Sequence, residues 1–179
     1  MKTFNKIAFF LLTLGFCSSV CFAQEWKDKV KHILPEFGHR NWIVIADAAY
    51  PKQSAPGIET IAIDAEQLEV VNYVLNEIKQ AKHILPKILI DMELDFVAEK
   101  NAPGINAYSK QLTEIFSDQD IKKLPHEDII RKLDEASKLF NILILKTNMT
   151  IPYTSIFIEL DCGYWNAQKE AELRKLIKN

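Results

Sequence analysis

Four side chains in this 179-residue sequence combine a type and a setting that could move protons or hold a polar ligand: His39, Asp47, His126 and Tyr153. Histidine gives and takes protons near neutrality because its ordinary pKa is ~6.5. Aspartate is an anionic acceptor at that pH, and tyrosine joins a flat apolar ring to a hydroxyl. No G-x-S-x-G elbow and no H-E-x-x-H accompanies them, so hydrolase and metalloprotease readings lack support. Gly38, Gly57, Gly104 and Gly163 are too scattered for a dinucleotide or phosphate loop. What remains suits a reaction of proton transfer alone, or plain ligand binding.

The element that positions the first pair is Trp42 to Ala46, five apolar residues rich in β-branching, which reads as a strand buried on both faces. His39 and Asp47 bracket it. Asp47 stands at the carboxyl end, where open α/β sheets place their ligands.

Composition sets the frame around this strand. At 48% hydrophobic and 26% charged the chain can build a real core, and its length favours one domain. Residues 1–23 read as a secretory signal peptide: Lys2 and Lys6, an apolar run from Ile7 to Phe16, then the small-residue end at Ala23. Neither Cys17 nor Cys21 has the small-residue approach of a lipidation site, so the reading is cleavage after Ala23 and a periplasmic or secreted protein. Cleavage removes two lysines and takes the formal net charge from −2 to −4, which argues against nucleic acid or an anionic membrane as partner. Cys162 is then the only cysteine, read as a buried inert thiol, and no Cys/His spacing suggests a metal.

The rest of the chain alternates. A short amphipathic helix carries Trp26, Val30, Ile33 and Leu34 and ends near Pro35. After the first strand come a loop (Lys52 to Gly57), a strand (Ile58 to Ile63) and a helix (Glu66 to Ala81) with Leu68, Val71, Leu75 and Ile78 on one face. A strand is expected to start after Pro86 and run toward Leu94, followed by a break at Asn101 to Gly104 and a helix from Ile105 to Phe116. Ser117 to Lys123 reads as a charged link, and Pro125 starts a helix with Ile129, Ile130 and Leu133 inward. Phe140 to Leu145 and Ile156 to Leu160 are strands, and Asn166 to Lys178 is a charged terminal helix. Strands alternating with helices predict an α/β fold, three layers with a mostly parallel sheet, as a single domain over residues 24–179.

Four stretches carry a likeness to a known family. Ile33 to His39, Asp47-Ala48-Ala49-Tyr50-Pro51, and Ile151-Pro152-Tyr153-Thr154-Ser155-Ile156-Phe157-Ile158 resemble the D-ribose pyranase and L-fucose mutarotase family, as does the helix head Leu124-Pro125-His126-Glu127. The likeness runs through the mature chain to about Leu160. It implies that His39 is a proton donor, with Tyr153 a further catalytic candidate. It also implies that Asp47 binds sugar hydroxyls, that His126 lines the pocket, and that Tyr153, Thr154 and Ser155 hold the ring. Where the family usually has Asn this chain has Ser155, whose hydroxyl has less reach than an amide. The implied activity is cofactor-free interconversion of cyclic monosaccharide forms by acid–base ring opening, in ring-shaped homo-oligomers with sites near subunit interfaces. A sugar-binding protein without catalysis and an envelope assembly protein remain alternatives on the same fold.

Overall fold

The structure is a computed structural model and describes residues 25–177. The expected signal segment, residues 1–23, and Lys178 at the end of the expected terminal helix lie outside the described residues. Among the described residues no helix is long and apolar enough to cross a membrane.

Strand β1 (Trp42–Ala46) is buried along its whole length. Its side chains alternate between two cores, as the period of two in a strand requires. Ile43 and Ile45 enter one core, while Trp42, Val44 and Ala46 enter the other. This double burial is why five apolar residues stand in a row. On one side β5 (Ile142–Lys146) and then β2 (Ile58–Ala62) add in parallel register. On the other side β6 (Ile156–Cys162) runs antiparallel to both β1 and β3 (Ile84–Asp91), and β4 (Ile121–Leu124) pairs parallel with β3. The order is β2-β5-β1-β6-β3-β4. Both antiparallel pairings involve β6, because the connection 147–155 is shorter than the dozen or so residues a parallel crossover needs.

Helix α1 (residues 25–33), α2 (Gln67–Gln80) and α3 (Ile105–Ile115) pack on one face, and α4 (His126–Ser137) packs Ile129 and Leu133 on the other. The result is the expected three-layer α/β/α sandwich. Its last helix, α5 (Ala167–Ile177), buries no residue.

Four details differ from the sequence reading. α2 turns Val70, Val71, Val74 and Ile78 inward together with Gln67, leaving Leu68 and Leu75 only partly buried. Both rows fit a 3.6-residue period, and the bonds of Gln67 choose between them: its Nε2 donates to the Ile45 carbonyl (3.4 Å) and its Oε1 accepts from Tyr108 Oη (2.8 Å). β3 begins before Pro86, which sits opposite Leu160 where β4 has not yet joined, an edge position that tolerates proline. It ends at Asp91, and Met92–Phe96 forms a 3₁₀ turn in place of further strand. The charged link hides β4, whose Lys122 and Lys123 are the residues an exposed edge strand carries. Cys162 is half-buried rather than fully enclosed.

Candidate active site

Asp47 leaves the carboxyl end of β1, and Asp91 closes β3 at the same edge of the sheet. β6 lies between these strands and runs the other way, so its start and the preceding connection reach that edge too. The sequence therefore delivers four segments to one place: 47–53, Asp91, the head of α4, and 150–153. Together they line a cavity of about 630 Å³ that includes Asp47, Tyr50, Gln53, Asp91, His126 and Tyr153. That is within the usual range for a small-molecule pocket.

Asp47 is fixed on both carboxylate oxygens. Oδ1 accepts from the Ala49 backbone N–H (2.8 Å), and Oδ2 accepts from Ser155 Oγ (2.9 Å). The loop itself is tied to the neighbouring connection, with Ala48 N–H donating to the Met149 carbonyl at 2.7 Å. Tyr153 follows Pro152 in a tight turn and has φ of 59°, the left-handed region that costs a side-chain-bearing residue about 1 kcal/mol or more. Pro152 at the second turn position and positive φ at the third are the signs of a type II turn. The turn is braced from below, where Thr154 Oγ1 donates to the Ile151 carbonyl (2.8 Å) and Tyr108 Oη lies 3.1 Å from the Thr154 carbonyl. Burial raises the Tyr108 hydroxyl well above the usual tyrosine range, so it stays a neutral donor. The Tyr153 ring meets the His126 imidazole edge-on, with centroids 5.8 Å apart.

His126 is the first residue of α4. Its backbone N–H donates to both oxygens of Glu93 (3.1 and 3.0 Å), which caps a helix end that Pro125 cannot cap with a side chain. Its Nδ1 lies 3.0 Å from Asp91 Oδ2. Asp91 is 1% exposed, and burial raises its carboxyl to about 6, although the hydrogen bond from His126 pulls the other way. Tyr50 is buried against Phe157 and its hydroxyl is likewise pushed above the usual range by burial, then by Asp134, Asp91 and Asp47. Three buried polar atoms around this cavity have no hydrogen-bond partner among the described residues: Tyr50 Oη, Gln53 Oε1 and Asp91 Oδ1. The lining contains Asp47, Asp91, Glu127 and His126 but no lysine or arginine.

Of the residues singled out from sequence, Asp47, His126 and Tyr153 thus converge. Thr154 and Ser155 are buried (0% and 2% exposed) behind the cavity, Ser155 touching it only through Asp47. His39 lies in the turn before β1, at the opposite end of the strand from Asp47, and is exposed. β1 alone spans roughly 16 Å at ~3.3 Å per residue, so His39 does not reach this cavity from within its own chain. His32 and His83 are structural or surface residues as expected: His32 lies 3.9 Å from Glu36, and His83 Nε2 lies 3.0 Å from the Phe37 carbonyl. Sequence reasoning missed Asp91, Glu93, Tyr50 and Gln53. Asp91 carried the same signal as Asp47, an acid directly after an apolar run, but the strand was read past it toward Leu94.

Acidic side chains set in a largely apolar lining at the carboxyl edge of an α/β sheet are the setting of a small-molecule site. The chain belongs to the RbsD / FucU transport protein family, whose model matches residues 27–162. It is 23% identical over 134 residues to a D-ribose pyranase of Limosilactobacillus reuteri, covering 73% of this chain and 89% of that protein. Among solved structures it resembles Bacillus subtilis RbsD complexed with D-ribose (TM-score 0.51, 22% identity, 73% of this chain and 88% of that one). It also resembles FucU of Bifidobacterium longum (TM-score 0.51, 15% identity, 75% and 94%). The architecture of this sandwich is therefore that of the family.

Proposed function

We propose that the protein is a monosaccharide mutarotase or pyranase that interconverts cyclic forms of a ribose- or fucose-like sugar by ring opening. The observation that carries this reading is the convergence of Asp47, His126 and Tyr153, from three distant parts of the chain, on one cavity. The family membership and the pyranase relative support it. Opening a cyclic sugar requires loss of the anomeric hydroxyl proton and protonation of the ring oxygen, and no other group is exchanged. A cavity with three carboxylates and no cationic side chain suits a neutral polyol and repels a phosphorylated one. Asp47, held rigid by Ala49 and Ser155, accepts from sugar hydroxyls, and Tyr153 offers a ring face and a hydroxyl.

His39 keeps its proposed role as proton donor only if a second copy of the chain delivers it, so the proposal includes a homo-oligomer whose sites lie between subunits. In a lone subunit the position of His39 favours the other reading, sugar binding without catalysis. We also infer export after cleavage at Ala23, for which the order of charged, apolar and small residues in 1–23 is the support. Intact mass of protein recovered from outside the cytoplasm tests this: an N-terminus at Gln24 is expected, and a retained Met1 overturns it.

The functional test is saturation-transfer and exchange NMR with a panel including D-ribose and L-fucose. Binding together with accelerated anomer or ring-size exchange is the expected result. Binding without any rate effect would leave a binding protein, and absence of both would remove the sugar reading.

A further inference from the structure

Ring opening needs a base as well as an acid, and the proposed proton donor leaves the base unassigned. We propose that His126 is the proton acceptor of the site and that Asp91 is its positioning residue, holding Nδ1–H so that Nε2 is presented to the sugar. The acceptor role rests on the mutarotase reading; the hold of Asp91 on the ring does not.

The geometry carries this. Asp91 lies beneath the imidazole at the end of β3, a position fixed by parallel pairing with Leu124, two residues before His126. Its Oδ2 is 3.0 Å from Nδ1, and above about pH 6, where Asp91 is a carboxylate that can only accept, the ring nitrogen there carries the hydrogen. In the neutral ring Nε2 is then the lone-pair nitrogen. It makes no hydrogen bond among the described residues, and His126 lines the cavity. Two further contacts leave the ring little freedom: Glu93 pins its backbone, and Tyr153 packs against its edge.

The pairing costs folding stability where it stands. A carboxylate that is 1% exposed, with Oδ1 unpartnered and Glu93 and Asp47 as its anionic neighbours, is poorly stabilised, and its raised pKa of about 6 reflects that. What the arrangement offers in return is a fixed tautomer and a counter-charge for an imidazolium, the function of a buried carboxylate behind a histidine base.

The step balances without a cofactor. Nε2 takes the anomeric hydroxyl proton, the O–H electron pair becomes the second bond of the C1 carbonyl, and the bond from C1 to the ring oxygen breaks. The ring oxygen takes a proton from the acid and becomes a hydroxyl of the open aldehyde. On closure at the other carbonyl face, or through another hydroxyl, the attacking hydroxyl gives its proton back to the acid as its oxygen bonds to C1, and His126 returns its proton to the carbonyl oxygen. The charged and titratable groups facing this pair are Asp47, Tyr50, Glu93, Glu127 and Tyr153, and none is a cation.

The test compares wild type with Asp91→Asn. In ¹⁵N-labelled wild type near pH 7.5, imidazole nitrogen shifts should give His126 protonated on Nδ1 and bare on Nε2, with D-ribose or L-fucose moving the Nε2 signal. In Asp91→Asn the amide can donate to Nδ1, so the tautomer should change. The exchange rate should fall by ~10–100-fold with KM little altered, and the acid limb of the rate profile should move to lower pH. Wild-type His126 protonated on Nε2, or a folded Asp91→Asn with unchanged tautomer, rate and pH profile, overturns the proposal. If wild type exchanges no sugar at all, the mutarotase reading and the acceptor role fall together. The tautomer comparison then decides the hold of Asp91 on its own.

Discussion

Ser155 Oγ donates to Asp47 Oδ2 at 2.9 Å while Asp47 N–H points back to the same hydroxyl at 3.3 Å, joining residues 108 positions apart. Ser155 therefore addresses the aspartate rather than the cavity. With Ser155 only 2% exposed, Ser155→Asn should overpack the turn and lower stability by ~1–3 kcal/mol, displacing Asp47. Ser155→Ala should keep the fold and weaken sugar binding about fivefold, the value of one hydrogen bond. Melting curves and NMR titrations on both variants check this, and tighter ribose binding by a stable Ser155→Asn would contradict it.

Asp91→Asn should stabilise the protein at neutral pH while slowing it. The folded-state pKa of about 6 lies above the ordinary 3.8, so the folded protein holds this proton more tightly than the unfolded chain. Stability from that preference is present below ~pH 4 and is lost as pH rises through 6. A rise of this size, net of the opposing bond to His126, corresponds to roughly 3 kcal/mol. Thermal melts should place the variant a few degrees above wild type at pH 7.5, with the gap closing near pH 4.

Tyr50→Phe should bind sugar more weakly without loss of stability. The hydroxyl is buried with no partner among the described residues, whereas the ring packs on Phe157 at 6.3 Å and stays in the variant. Loss of one neutral donor predicts about a fivefold higher Kd, and removal of an unpaired buried group predicts an unchanged or higher Tm.

His39→Gln should leave melting temperature and sugar affinity intact and lower the exchange rate by ~10²–10⁴-fold. If the acid comes from a second copy, mixing inactive His39→Gln with inactive Asp47→Asn subunits should restore part of the rate, because some sites then combine intact halves. No recovery after verified subunit exchange, or a clean monomer by light scattering in fully active protein, would argue against shared sites.

The central strand was legible because a run of five apolar, largely β-branched residues is too short for a core helix and fits a strand covered on both faces. Asp47 followed from where that strand stops. Residues whose meaning depends on a neighbour far along the chain were not. Asp91 acquires its role from His126, which is 35 positions away. Ser155 changed from ligand contact to support because the turn rotates its side chain under Asp47. β4 was hidden by lysines that keep an edge strand soluble, and the buried face of α2 by two equally periodic rows that only Gln67 distinguishes.

The reversed strand β6 has a consequence for how the molecule comes into being. Without it the sheet is two separate pieces, β2-β5-β1 and β3-β4, with no backbone bond between them. The strand that joins them is the last of the described strands in chain order and lies between β1 and β3. A nascent chain ending before Ile156 has every helix that faces the sheet and neither a closed core nor a binding cavity. Long-range closure of this kind slows folding and leaves two apolar strand edges open until β6 has been made. Truncations just before residue 156 should therefore aggregate rather than yield a smaller folded domain, whereas removal of α5, which buries nothing, should leave the sandwich intact.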